Sequence, residues 1–221
     1  LCSLYLGRVS LYNNVLYTVG KQKLNIFDVK KADEPKRYTD FYVGWGIETM
    51  YILNNKMFLG AKSGMRIYDI SNEWSPMYLS QFWHVTSRDP VVVKGDLAFV
   101  TLRDGGNRWT NVNELDVVSI ANIKKPELLK RYPMTHPHGL GIDGQTLFIC
   151  DGDAGLKIYD ITNPLDIDNN LIATFENINA FDVIPLNNIL MLIGEDGLYQ
   201  YDYADLQNIN FLSKINVENS N

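Results

Sequence analysis

The sequence predicts an all-β protein, a β-propeller built from four-stranded antiparallel blades, of which five are recognisable. Three observations carry this reading. A strand pattern with Asp or a stand-in at one fixed place returns five times, as LNIFDV from residue 24, MRIYDI from 65, LDVVSI from 115, LKIYDI from 156 and LYQYDY from 198, at spacings of 41, 50, 41 and 42 residues. A strand-rich unit recurring at that period describes a radial β array. Two-residue turns, NN at 13–14, 54–55 and 187–188 and GD at 95–96, separate paired apolar runs, as tight antiparallel hairpins require. No stretch sustains a helical period long enough to compete.

Each unit follows one order. The first runs VSLY, NN, VLYTVG, LNIFDV and, after Pro35, RYTDF; the second runs IETMYIL, NN, KMFLGA, MRIYDI and, after Pro76, MYLSQF. The third is PVVV, GD, LAFVTL, a lengthened segment RDGGNRWTNVNE (103–114), LDVVSI and, after Pro126, LLKRY. The fourth is HGLGI, the turn DGQ, TLFIC, the loop DGDAG, LKIYDI and, after a Pro-containing loop, LIATF; the fifth is FDVIPL, NN, ILMLIG, EDG, LYQYDY and FLSKI. Gly, Asn, Asp and Pro fall between the apolar runs, where the chain must reverse. The blades lie near 7–41, 47–82, 88–132, 136–175 and 179–215, a single domain over 1–221. Alternation along LKIYDI and MRIYDI gives both faces of each sheet apolar residues, so each blade is expected to be buried between its neighbours.

The repeated Asp28, Asp69, Asp160 and Asp202, replaced by Ser119 in the third copy, read as structural acceptors for backbone N–H groups in the following loop. A catalytic role would not need four copies. The loop DGDAG reads as a tight turn, since it lacks the further ligands of a calcium loop.

Bulk properties narrow the function. The net charge of −6, with Lys and Arg scattered, argues against a nucleic-acid surface. No apolar run reaches the roughly 18–20 residues of a membrane-spanning helix. Of the two cysteines, Cys150 ends an apolar run and reads as a packed thiol, and nothing in the spacing demands a Cys2–Cys150 disulfide. The first residue is Leu with no signal sequence ahead of it, which reads as a processed or truncated product.

In a propeller the innermost strands line the axis, and the loops entering them share a face with the loops joining second and third strands. Registering the blades on their hairpin turns places Gly7, Glu48, Asp89, His138 and Phe181 in one column, flanked by Arg8, Trp45, Arg88, His136 and Asp182. The 103–114 segment brings Arg108 and Trp109 to the same face, and a lengthened loop there is a sign of recognition. Two carboxylates about 6 Å apart repel by roughly 3 kcal/mol at an effective dielectric near 20. Glu48, Asp89 and Asp182 therefore need compensation, either from Arg8, Arg88 and the histidines or from a bound cation or polar ligand. No cofactor is called for, but a divalent cation held by Glu48, Asp89, His136 and His138 is chemically sensible, although HPH is not a recognised chelating motif. No GxSxG, HExxH, CxxC or phosphate-binding Gly-rich loop occurs, so no catalytic residue is assigned.

The third-strand segments with their Pro loops, MRIYDISNEWSP, LKIYDITNP and LDVVSIANIKKP, resemble the LVIVD repeat of exported or surface β-propeller proteins. Stretches such as VGWGIETM, RDPVVV, YPMTHPHGLGID and EDGLYQYDY are similar to Bacteroidetes lipoprotein-like members. The resemblance implies an exported, periplasmic or outer-membrane or cell-surface address, and upstream blades of a larger ring in longer relatives. It supplies no catalytic residues. The expectation is a non-enzymatic binding or scaffold module that recognises a protein, a glycan or another surface ligand through its channel-mouth face, with oligomeric state left open. The alternative is a metal-dependent hydrolase or lyase centred at that mouth.

Overall fold

The computed structural model describes residues 8–20, 22–84, 90–104 and 112–217. They form five four-stranded antiparallel sheets arranged as a five-bladed β-propeller. Blade 1 comprises β1 (Arg8–Tyr12), β2 (Val15–Gly20), β3 (Lys23–Asp28) and β4 (Lys36–Tyr42). Blade 2 comprises β5 (Ile47–Leu53), β6 (Lys56–Ala61), β7 (Gly64–Asp69) and β8 (Met77–Trp83). Blade 3 comprises β9 (Val91–Lys94), β10 (Leu97–Leu102), β11 (Glu114–Ser119) and β12 (Glu127–Pro133). Blade 4 comprises β13 (Leu140–Asp143), β14 (Thr146–Cys150), β15 (Leu156–Asp160) and β16 (Leu171–Phe175). Blade 5 comprises β17 (Ala180–Leu186), β18 (Ile189–Gly194), β19 (Gly197–Asp202) and β20 (Asn210–Asn216). Among the described residues the helical element is a single 3-10 turn, Ile167–Asn169.

The turns close as their residues dictate. Asn13, Asn54, Asn55, Asn187 and Asn188 all take positive φ, between 47° and 63°, the conformation of a tight hairpin and one that Asn tolerates. In every blade the residue after the third strand then donates its amide back to this hairpin, from Val29 to Asn14, Ile70 to Asn55, Ile120 to Asp96, Ile161 to Gln145 and Tyr203 to Asn188, at 2.8–2.9 Å.

The repeated Asp acts in the next loop. Asp28, Asp69, Asp160 and Asp202 accept from the amides of Lys30, Ser71, Thr162 and Ala204 at 2.7–2.9 Å. Ser119 keeps the position with a longer 3.4 Å contact from the Ala121 amide. At Asp69 the Ser71 amide, helped by Lys56, holds the carboxyl down to about 2. After this loop the third and fourth strands pair with a register shift at the same place in all five blades, between Ile26 and Phe27, Ile67 and Tyr68, Val117 and Val118, Ile158 and Tyr159, and Gln200 and Tyr201. A bulge there increases the twist of the outermost strand.

The core lies in the seams between blades. Val15, Tyr17 and Ile26 of blade 1 meet Met57 and Leu59 of blade 2. Phe58 and Ile67 meet Val100 and Val118 at the next seam, and Phe99 and Val117 meet Leu147 and Ile149 at the third. Phe148 and Ile158 meet Leu190 and Tyr201 at the fourth. Hydroxyls of one blade also donate to the Pro loop of the next: Tyr17 to the Glu73 carbonyl at 2.8 Å, Ser80 to Ile123 at 2.5 Å and Tyr132 to Pro164 at 3.1 Å. Among the described residues no such apolar cluster joins blade 5 to blade 1, and Val9, Leu11, Ile184 and Leu186 on their facing strands are exposed.

Candidate functional site

The inner strands β1, β5, β9, β13 and β17 surround a central cavity of about 480 Å³. Arg8, Glu48, Arg103, His138, Phe181 and Asp182 stand on its wall. Of the residues the sequence register aligned, Glu48, His138 and Phe181 stand on this wall, with Arg8 and Asp182 beside them. Gly7, Arg88, Asp89, Arg108 and Trp109 lie outside the described residues. Trp45 is not on the cavity wall; it stands beside the groove at the outer seam of blades 1 and 2.

The segment before β13 is the best-fixed part of the wall. The His138 amide donates to the Cys150 carbonyl at 2.7 Å, and the Gly139 amide donates to the Phe181 carbonyl of blade 5 at 2.9 Å. From blade 3, the Thr101 hydroxyl donates to the His138 carbonyl at 2.7 Å. Three blades therefore hold one dipeptide. Gly at 139 is required by the closeness of blade 5, because a Cβ there would overlap the Asp182 carboxyl.

The His138 ring packs between two others, 5.1 Å from His136 and 5.1 Å from Phe181. Arg103 Nη1 lies 2.8 Å from both His138 ring nitrogens. Arg103 opens the lengthened 103–114 segment, and the sequence register does not single it out. Its signal was the insert itself.

Asp182 retains access to the solvent of the cavity, yet protein packed around it pushes its carboxyl above the usual range, against the pull of the Val183 amide at 3.0 Å and of Arg8. His136 is positioned by Asp151, which is fully buried and accepts from the His136 amide at 2.7 Å, the Thr135 amide at 3.0 Å and Lys157 Nζ at 2.5 Å. The loop DGDAG closes as a tight turn, with the Asp151 amide donating to the Gly155 carbonyl at 2.7 Å and the Gly155 amide to Gly152 at 3.0 Å. Cys150 behind the wall is a free, buried thiol, and burial with Asp182 and Asp151 nearby pushes it well above its ordinary value. That is the reverse of what a nucleophilic cysteine needs.

Among the described residues no group of three or more His, Cys, Asp and Glu is arranged to hold a metal ion. Of the four ligands the sequence offered for a cation, Glu48 and His138 share the cavity wall, His136 meets the His138 ring edge-on and does not line the cavity, and Asp89 lies outside the described residues. Also among the described residues, no helix is long and apolar enough to cross a membrane.

Residues 138–167 match the family model of the LVIVD repeat, which supports the repeat family. No curated protein matches the chain. Among solved structures, the chain is similar to the computationally designed protein Ika8, at 12% identity and a TM-score of 0.66 over 95% of this chain and 61% of that one. It is also similar to a functionally unknown protein from Desulfotomaculum acetoxidans, at 11% identity and a TM-score of 0.72 over 97% of this chain and 71% of that one. A protein from Lactobacillus plantarum aligns at 11% identity and a TM-score of 0.74 over 96% of this chain and 71% of that one. At these identities the likeness concerns the fold. The chain spans 61% of the length of the first of these structures and 71% of the other two.

Proposed function

We propose that this protein is a non-enzymatic binding module of the exported, lipoprotein-like kind, recognising a protein or glycan of the cell surface through the channel-mouth face. The observation that carries the reading is the cavity wall. Arg8 and Arg103 face Glu48 and Asp182 around about 480 Å³, with the His138 ring among them, so charges of both signs converge on a space of ligand size. Internal pairing, Arg103 on His138 and Arg8 near Asp182, supports a wall organised for recognition. The address rests on the resemblance of the Pro-loop repeats.

Two measurements test it. Elemental analysis of the purified chain is expected to find no stoichiometric metal, with Glu48→Ala and His138→Ala folding as the parent does. Surface glycans and surface proteins arrayed against the chain are expected to yield a ligand whose binding weakens about tenfold or more in Arg103→Ala. Stoichiometric metal lost in both the Glu48 and His138 variants would favour a metal-dependent hydrolase or lyase instead.

A further inference from the structure

The linker from blade 1 to blade 2 reads Tyr42-Val43-Gly44-Trp45-Gly46. Gly44 and Gly46 both hold positive φ, 85° and 69°, a region side-chain-bearing residues rarely enter. Each also lies flat against a cation. A Cβ on Gly44 would come 2.7 Å from Arg66 Nη1, and one on Gly46 would come 2.9 Å from Lys62 Cγ. The two glycines press the backbone onto Arg66 and Lys62 and turn the residue between them outward, leaving Trp45 66% exposed.

This mount is fixed by hydrogen bonds. Arg66 Nη1 donates to the Val43 carbonyl at 2.7 Å, the Lys62 amide to the Gly46 carbonyl at 3.1 Å and Gln81 Nε2 to the Ser63 carbonyl at 3.1 Å. A groove of about 590 Å³ runs beside the indole, bounded by exposed Tyr42 and Tyr78. Tyr78 is itself braced edge-on against Tyr68, with ring centroids 5.6 Å apart. Among the described residues that line the groove there is no Asp or Glu, although the chain as a whole carries a net charge of −6.

We propose that this groove binds an acidic saccharide, a sugar chain bearing uronate or sulfate groups. A pyranose presents an apolar C–H face that stacks on an exposed ring such as Trp45, Tyr42 or Tyr78. Its hydroxyls need amide and hydroxyl partners, which Gln81 and Ser63 offer, and its anionic group meets Lys62 and Arg66. A peptide would need enclosed pockets for its anchors, whereas here the aromatic faces stand open. The site is separate from the cavity wall, sharing none of its lining residues.

Calorimetric titration of the whole chain tests this, with an oligogalacturonate, a heparin-derived oligosaccharide, a neutral cello-oligosaccharide and poly-glutamate as probes. One of the two acidic oligosaccharides is expected to bind at one site, more tightly than the neutral one, and to weaken with salt. Trp45→Ala should weaken it about tenfold or more, Trp45→Phe should recover part of that loss, and Lys62→Ala should weaken it several-fold and reduce the salt dependence. Circular dichroism of each variant checks that the blades remain folded. Equal binding of the neutral oligosaccharide overturns the acidic assignment. Poly-glutamate binding as tightly, with the same loss in Trp45→Ala, replaces the saccharide by an acidic peptide. No binding of either acidic oligosaccharide at millimolar concentration, or binding unaffected by Trp45→Ala, removes the site.

Discussion

Asp116 on β11 is fully buried, on the face of its strand opposite Leu115 and Val117 and so toward blade 2. Among the described residues neither carboxyl oxygen accepts a hydrogen bond, its charge partner being Arg131, whose Nε lies 3.4 Å away. Burial first, then the neighbouring Glu114, pushes this carboxyl up to about 6, against the pull of Arg131 and His84. An unfolded Asp releases its proton near 3.9, so between that pH and about 6 the folded chain holds a proton the unfolded chain has lost. Stability is therefore expected to fall as pH rises from about 4 to about 6 and to level above it, by something on the order of 3 kcal/mol. Asp116→Asn removes the charge. Urea unfolding should show a gain of roughly 1–2 kcal/mol at pH 7 and a flatter profile between pH 4 and 6; a variant less stable at pH 7, with an unchanged profile, contradicts this account. The motif LDVVSI does not disclose the burial. Its second position is filled by Asn25, Arg66, Lys157 and Tyr199 in the other copies, so a polar residue there looks ordinary. Only the folded seam shows which of them finds a partner, as Lys157 does in Asp151 at 2.5 Å.

The blade as an element is stabilised by repeated local closures, and these were the most legible features. The Asp–loop bonds follow from side-chain length, since Asp reaches the amide two residues on whatever surrounds it. The NN turns follow from the tolerance of Asn for positive φ. The register shift in every third–fourth strand pair was not legible, because an extra residue such as Tyr38 or Leu129 in the outer strand leaves no compositional mark. The bonds that cross seams were equally hidden, since they join residues remote in sequence. Tyr132 shows their weight: it is 2% exposed, donates to the Pro164 carbonyl and accepts from the buried Ile167 amide, both at 3.1 Å. Tyr132→Phe would leave that amide unpaired at unchanged packing volume. A loss of about 1–3 kcal/mol is expected from denaturant unfolding, and a change below a few tenths of a kcal/mol would mean another group takes over the amide.

At the scale of the whole molecule, stability in a repeat array is close to a sum of units and their interfaces. Blades 2, 3 and 4 each rest on two apolar seams, whereas among the described residues blades 1 and 5 rest on one. Hydrogen exchange should therefore be about tenfold or more faster in β2 and β3 than in β10 and β11; equal protection in all blades would show that the exposed faces of blades 1 and 5 are covered in solution. The central site was legible only as far as registry reached. Glu48, His138 and Phe181 converge because equivalent positions in a radial array must, and Asp182 follows Phe181 on the same strand. Trp45 escaped that logic, since two positive-φ glycines carry it outward, and so did Arg103, which reaches inward from an insert that has no counterpart in the other blades. One further asymmetry follows from the backbone. The Gly139 amide bonds to Phe181 and the Ala180 amide to Gly152, so main chain stitches blade 4 to blade 5, whereas among the described residues side chains join the seams of blades 1 to 4. That pair is expected to behave as one stiff plate carrying His138 and Asp182, so that breathing of the mouth is taken up mainly by blades 1 and 2, blade 3 being tied to the plate through Thr101.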